Sequence, residues 1–424
     1  MNFENLKEEI EKVFGKKVSN RPDCEALSLA IYEKSKKTIS YNTLRRFFNL
    51  AGQRNTNSLS HSTLDILARY CEYECYAEFI SEKSSKKNLS LIYNLQLEIQ
   101  QKEAFTIDYI ESCLHQFDSN EHVFNLMNSI VHFAFQREDV NFLKDVFKIK
   151  RVFNGDHYLN TNLYFLIQKI GIHIRNHSEI SEVLWQEWAT NPIARFYYFE
   201  LFVDMDFFMI NHYKAIEFYH KNSNQPQDLL FSNSILAWRN LILEDFEAAN
   251  SFISTIKTID FHTDIHPITV ARAYNVLLLN EFLQEGKHLE TLLDQINVSR
   301  ANFDSSDYPF FEFWICEGLV LTHQYEMVLN CIDSIYTKTK GKDIFYLKGS
   351  LERIKLIEEY TLFKTGKTIK SEIDKIRTLS KLDNFSREYD SLFYYAVNPS
   401  ELTEEIKSTI TKRGYLKMLE WLIV

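Results

Sequence analysis

The stretch Phe231–Asp260 has the sequence FSNSILAWRNLILEDFEAANSFISTIKTID. Its apolar residues recur every three or four positions, which is typical of amphipathic helices, and the polar pair Glu244-Asp245 interrupts the pattern. Ala237 and Ala249 lie on opposite sides of this break, and side chains this small let two helices approach closely. The stretch therefore predicts a helical hairpin.

Similar polar breaks recur through the rest of the chain at intervals of about 33 to 42 residues. They lie near Gln101-Lys102, Arg137-Glu138, Asn176-His177, Asn211-His212, Glu244-Asp245, Glu285-Gly286, His323-Gln324 and Thr365-Gly366. A hairpin of this length cannot bury its apolar face alone, so neighbouring hairpins are expected to stack into one continuous core. The pattern predicts an α-solenoid of about eight hairpins over residues 89–424.

The composition excludes most other fold classes. Of 424 residues only 10 are glycine and 6 are proline, whereas β-hairpin turns and phosphate-binding loops depend on glycine. Hydrophobic residues make up 45% of the chain and aromatic residues 14%, which is too apolar for a disordered protein. We therefore expect an all-α protein.

Two of the predicted hairpins resemble the tetratricopeptide repeat (TPR). In Phe231–Asp260, Ala237 and Ala249 occupy the places where that repeat has small residues. Phe311–Tyr336 is a second match, with Gly318 at the first small position and Asn330 in place of the second. The resemblance implies degenerate TPR-like repeats.

Residues 1–88 have a different pattern, and we expect them to form a separate small helical domain. Helices are predicted over Cys24–Lys34 and Ser62–Tyr70, and a short one near Tyr76–Ile80. Between the first two, Ser40 is placed to cap a helix that carries Asn42-Thr43-Leu44-Arg45-Arg46-Phe47-Phe48. That helix would bury its leucine and phenylalanines and leave its arginines near the opposite face.

The order of these helices resembles the Cro/repressor-type helix-turn-helix domain. Leu29-Ala30 matches the Leu-Ala pair of the first motif helix, Ser40–Arg46 the start of the recognition helix, and Leu59–Tyr70 the loop and helix that follow. The connection between Ala30 and Ser40 is about three residues longer than the family's tight turn. The segment is also similar to the N-terminal domain of regulator-like proteins of Bacteroidetes that continue into helical repeats.

The resemblance implies that this domain binds duplex DNA. Arginines can pair with guanine or phosphate, asparagine can read adenine, and hydroxyls and lysines can hold phosphates. The residues it implicates are Lys36, Lys37, Ser40, Asn42, Thr43, Arg45, Arg46 and Arg54. The charge distribution agrees, because residues 1–88 carry a net charge of +3 and the remainder −13, within a total of −10. The alternative interpretation is that Arg45-Arg46 is only a solvated helix face, on a domain that caps the solenoid.

The whole layout is similar to that of the peptide-sensing Rgg and PlcR regulators. By that resemblance the solenoid would dimerise and would hold a peptide or protein ligand. Asparagine can bond both the N–H and the C=O of a peptide backbone, and the candidates are Asn162, Asn240 and Asn275. We expect a homodimeric cytoplasmic transcriptional regulator. The alternative is a non-enzymatic scaffold for protein–protein interaction.

The sequence offers little support for an enzyme or a membrane protein. Gly366-Lys367-Thr368 resembles the end of a phosphate-binding loop, but Thr361 stands where that loop requires its first glycine. The six cysteines are scattered as in reduced intracellular proteins, and no run of apolar residues is long enough to cross a membrane.

Three groups of potential metal ligands occur, and none predicts a metal site. His173 with His177 and His262 with His266 are spaced by four residues but lack an obvious third ligand. Cys71 and Cys75 near His61 fit burial in a short helix better. We expect neither a metal ion nor a cofactor.

Overall fold

We describe the fold from a computed structural model of the chain. It describes residues 3–50, 59–153, 161–261, 264–284, 286, 288–303, 309–340, 347–367, 373–381 and 387–424. Every regular element within these ranges is helical, and no strand occurs in them. The predicted all-α class is confirmed.

The chain divides into two compact units, Met1–Glu98 and Ile99–Val424. The first contains four complete helices and most of a fifth. They are α1 (Glu4–Phe14), α2 (Arg21–Ser35), α3 (Tyr41–Phe47), α4 (His61–Tyr70) and α5 (Tyr76–Gln101).

The first unit is built around one apolar cluster to which α1–α4 all contribute. Ile10, Leu27, Leu44 and Leu67, one from each helix, are fully buried in it. Three of the helices begin at a polar residue whose side chain accepts a hydrogen bond from the backbone N–H three positions on: Asn20, Ser40 and Ser60. Such caps satisfy backbone donors that a helix leaves free at its start.

The fifth helix departs from the prediction. A short helix ending near Ile80 was expected, but α5 continues to Gln101 and crosses the division between the two units. No glycine or proline occurs between Ser81 and Gln101, so no residue there interrupts the helix. The proposed boundary after residue 88 therefore lies inside a helix.

The second unit consists almost entirely of helices. They are α6 (Ile107–Leu114), α7 (Asn120–Gln136), α8 (Val140–Asp145), α9 (Thr161–Asn176), α10 (Ser178–Trp188), α11 (Pro192–Ala194), α12 (Met205–Phe207), α13 (Tyr213–Lys221), α14 (Pro226–Ile242), α15 (Phe246–Ile256), α16 (Pro267–Leu283), α17 (Leu289–Asn302), α18 (Phe310–Leu321), α19 (Tyr325–Thr339), α20 (Leu347–Lys364), α21 (Ile373–Leu379), α22 (Arg387–Val397), α23 (Glu404–Lys412) and α24 (Leu416–Ile423). π-helical turns at Arg195–Glu200 and Phe208–His212 follow α11 and α12, and 3-10 turns occupy Val146–Lys148 and Pro399–Glu401.

Alternate helices of this unit pack on one another, as expected of a helical repeat. The first helix of one hairpin packs on the first helix of the next in the order α14, α16, α18, α20 and α22, whereas α24 packs on both α22 and α18, and α22 also contacts α12. The second helices, such as α15 and α19, pack on their own hairpin partners. Ala237 and Ala249 are fully buried in α14 and α15, which pack on each other.

Most of the predicted hairpin turns are confirmed, and several share one geometry. Five of the turns have a residue with a left-handed backbone conformation at the predicted break. These residues are Glu138, Glu244, Gly286, His323 and Gly366. At Glu244 the next N–H, that of Asp245, bonds the Asn240 carbonyl five residues back, and the Asp245 carboxylate caps α15. The repeated turn explains why polar residues mark these breaks.

One predicted turn is wrong. Asn211-His212 lies inside continuous helical structure, because the π-helical turn Phe208–His212 leads directly into α13. His212 is fully buried among the rings of Trp185, Tyr198 and Phe202. Because histidine is polar, the sequence pattern does not distinguish a histidine buried among aromatic rings from one in an exposed turn, and the turn was predicted in the wrong place.

This burial predicts sensitivity to acid. Burial lowers the pKa of His212 to about 3 from an ordinary value of 6.5. Between those values the unfolded chain binds a proton at this position and the folded chain does not, so stability falls as the pH falls. Between pH 6.5 and 4.5 we expect the wild type to lose about 2–3 kcal/mol more than His212→Phe, measured by urea denaturation at both pH values.

Two points make the difference between wild type and His212→Phe specific to His212. Burial raises the pKa of Asp206 to about 7, which acts with the opposite sign, but that contribution is the same in wild type and variant and cancels. The control is Ile210→Phe in the same π-helical turn, which changes an exposed residue without a titratable group and should keep the pH dependence of the wild type. An identical pH dependence of wild type and His212→Phe would contradict the prediction.

Candidate nucleic-acid interface

Helix α3 is held to the first unit by its apolar side. Leu44 and Phe47 are buried, and the Ser40 hydroxyl accepts the backbone N–H of Thr43 at 3.1 Å. The same hydroxyl lies 2.9 Å from the Thr43 hydroxyl, so two hydroxyl groups flank the start of the helix. The opposite side of α3 is exposed to solvent.

The residues predicted to contact DNA lie on this solvent side or just before it. Lys36, Lys37, Ser40, Asn42 and Arg46 are exposed. Thr43 and Arg45 are half-buried, and Arg54 lies outside the described residues. We call the described members, Lys36, Lys37, Ser40, Asn42, Thr43, Arg45 and Arg46, the α3 basic surface.

The cations of the α3 basic surface lack carboxylate partners. Lys36, Lys37, Arg45 and Arg46 form no ion pair within the described part of the chain. Four other cations of the same unit are each paired: Lys12 with Glu9, Lys16 with Asp23, Arg21 with Glu25 and Lys34 with Glu72. Lys17 and Arg69, outside this surface, also form no ion pair among the described residues, so what distinguishes the α3 basic surface is that four such cations lie within residues 36–46.

The connection between α2 and α3 differs from a tight turn. Lys36 ends α2 in a left-handed conformation, and the chain then runs back along α2, where the Ser28 hydroxyl donates to the Ile39 carbonyl. As a result the Arg21 guanidinium, at the start of α2, stacks 4.9 Å from the ring centre of Tyr41, at the start of α3. The two helix starts lie side by side.

Arg21 is a residue that the sequence did not indicate. It lies twenty positions before Tyr41, and only the path of the connection brings the two together. Its ion pair with Glu25 raises its pKa and holds the guanidinium beside α3. No motif in the sequence marks this contact.

The three asparagines predicted to bind a ligand have different surroundings. Asn162 is half-buried in α9, and the side-chain oxygen of Asn240 lies 3.5 Å from an Arg239 nitrogen. Asn275 donates to the Trp314 carbonyl at 2.8 Å and accepts the Gly318 N–H at 3.1 Å. It therefore already bonds a peptide backbone, that of α18 in its own chain.

The other candidate chemistries do not form recognisable sites. Thr361 is fully buried within α20, which ends at Lys364, so the stretch before Gly366 is helix. His132 joins His173 and His177 in a row of rings, with centres 5.4 and 6.1 Å apart. No group of three or more His, Cys, Asp or Glu among the described residues is placed to hold a metal ion.

None of the helices described here is both long and apolar enough to cross a membrane. No family model, curated protein or solved structure matches the chain.

Proposed function

We propose that the protein is a DNA-binding transcriptional regulator that contacts duplex DNA through the α3 basic surface. The observation that carries the proposal is that four cations within residues 36–46 have no carboxylate partner in the described part of the chain. Phosphate contacts by unpaired lysine and arginine supply most of the affinity of DNA-binding proteins.

The residues divide into two roles in this proposal. Arg46 and Asn42 are exposed on α3, and their side chains are suited to the edges of guanine and adenine in the major groove. Lys36, Lys37 and the Ser40 hydroxyl would hold phosphates beside the groove. A single small helical domain covers little DNA, so we propose a homodimer that binds two half-sites.

The second unit would supply the regulation in this proposal. Its stacked hairpins resemble TPR-like repeats in their small residues, and such repeats serve as binding surfaces for peptides and proteins. We propose that this unit binds a peptide or protein ligand, mediates dimerisation, or does both. Of the predicted asparagines, Asn275 would reach a ligand only by giving up its bonds to α18.

A second candidate function is a protein-interaction scaffold whose first unit does not bind DNA. The observation that favours it is the connection between α2 and α3, which runs back along α2 instead of making a tight turn. A recognition helix must project at a defined angle to enter the groove, and this longer connection allows an angle other than that of the helix-turn-helix family.

The test is fluorescence anisotropy of the full-length protein with a pool of labelled duplex DNA, titrated with salt. Arg45→Ala/Arg46→Ala should weaken binding by at least about tenfold and lower the slope of log affinity against log salt by up to about 2. The matched control is Lys12→Ala/Lys34→Ala, which removes two positive charges that are already paired and should bind nearly as the wild type does.

The comparison between the two variants separates the candidate functions. Equal losses in both would mean that only net charge matters and that α3 has no special role. If the wild type does not bind at low salt, with or without cell extract as a source of effector, the scaffold function is favoured.

A further inference from the structure

A groove of about 780 Å³ lies in the second unit, outside every site discussed so far. Its sides are formed by residues 256–261, at and just after the end of α15, and by helix α17. Its floor is one face of α16, formed by Tyr274, Leu277 and Glu281. Helices α15 and α17 each pack on α16 and not extensively on each other, which leaves the groove between them.

The floor of the groove is held firmly in place. The Tyr274 hydroxyl lies 2.8 Å from the Ser299 hydroxyl of α17, and the ring of Phe261 meets the Tyr274 ring edge-on at 5.1 Å. Arg300 ties α17 to the next hairpin through the Asn330 carbonyl. These contacts fix the positions of the helices that form the groove.

The groove presents apolar surface to solvent. Val298, on the wall formed by α17, is 62% exposed and supplies most of this surface, whereas Leu277 on the floor is only 9% exposed. The lining residues of α17 extend from Thr291 to Asn302, a rise of about 17 Å, which matches about three turns of a second helix. Exposed apolar grooves of this kind accept the apolar face of an amphipathic helix.

The charges around the groove are mostly negative. Asp260, Glu281 and Asp294 line it, and Lys257 is the one lysine or arginine among the described lining residues. None of the three carboxylates forms an ion pair in the described part of the chain. A partner with basic residues beside its apolar face would complement them.

We propose that this groove is a docking site for a basic amphipathic helix of another protein. Leucine-like side chains of that helix would cover Val298, and its lysines or arginines would face Asp260, Glu281 and Asp294. The same groove of a second copy is a poor partner, because it would bring the carboxylates of both copies together. The proposal does not depend on whether α3 binds DNA.

The experiment uses the full-length chain and a fluorescein-labelled peptide of leucine and lysine, patterned as an amphipathic helix of about three turns. Val298→Glu should weaken peptide binding at least tenfold. Val183→Glu is the matched control, because Val183 on α10 is also exposed, at 41%, and lies outside the groove. Circular dichroism melting of both variants checks that the fold is retained.

A separate experiment tests whether the carboxylates of the groove contribute to binding. Glu281→Gln/Asp294→Asn should weaken the lysine peptide and reduce the salt dependence of its binding, and a leucine–glutamate peptide of the same pattern should not bind. The proposal is overturned if the two valine variants bind equally, if the glutamate peptide binds as well as the lysine peptide, or if no saturable binding occurs. Sedimentation equilibrium shows whether a second copy fills the groove: self-association lost in Val298→Glu would also overturn it.

Discussion

Gly318→Ala is expected to lower the free energy of unfolding by about 3 kcal/mol, as measured by urea denaturation followed by far-UV circular dichroism. Helix α18 approaches α16 so closely at this glycine that an added Cβ would lie 2.3 Å from the Asn275 side-chain oxygen and 2.8 Å from the Asn275 Cα. The second contact is with backbone, so the two helices would have to move apart. That movement would also break the two hydrogen bonds that Asn275 makes to α18.

Two further variants test this explanation. Asn250→Ala introduces alanine on the exposed side of α15 and should change the stability by less than about 0.5 kcal/mol. In an Asn275→Ala background, Gly318→Ala should be less destabilising than in the wild type, because the contacts with the Asn275 side chain are gone and only the one with its backbone remains. Wild-type stability of Gly318→Ala would show that α16 and α18 are not packed as described.

Arg175→Met is the second substitution with a large expected effect, a loss of about 3–5 kcal/mol in the free energy of unfolding. The Arg175 guanidinium forms a bidentate ion pair with Asp204, whose side chain is only 3% exposed. Burial raises the pKa of Asp204 although Arg175 opposes the shift. Without its partner this carboxylate would be buried unpaired or would have to take up a proton.

The double variant Arg175→Met/Asp204→Asn should recover much of the loss, because it removes both charges and leaves an amide oxygen to cap the Phe207 N–H. The control is the solvent-exposed pair of Lys214 and Glu182, where Lys214→Met should lower stability by less than about 1 kcal/mol. Similar losses in Arg175→Met and Lys214→Met would contradict the role assigned to burial.

The predicted helices were mostly confirmed because local sequence determines them. The apolar period placed α14 and α15, and the polar break between them became a turn with Glu244 in the left-handed conformation. The turn predicted at Asn211-His212 is wrong because His212, although polar, is buried among aromatic rings. The end predicted near Ile80 is wrong because no glycine or proline follows it, and the helix continues to Gln101.

The candidate interface was only partly accessible to sequence reasoning. The cap at Ser40 and the buried Leu44 followed from local pattern, and the structure has both. That the cations around α3 lack carboxylates, and that Arg21 stacks on Tyr41, depends on which distant residues become neighbours. DNA binding itself stays a prediction.

By itself the sequence determined that the chain is all-α, where most of its hairpins turn, and which residues are buried in the helix after Ser40 and in the hairpin Phe231–Asp260. These properties depend on residues within one or two turns of each other, so periodicity and capping reveal them. Only the tertiary structure decided that Asn275 bonds α18, that Arg175 pairs with Asp204 inside the second unit, and that a groove lined by Leu277 and Val298 stays open. Each of these depends on how closely helices far apart in the chain approach one another, which is set by the packing of the whole unit and not by local pattern.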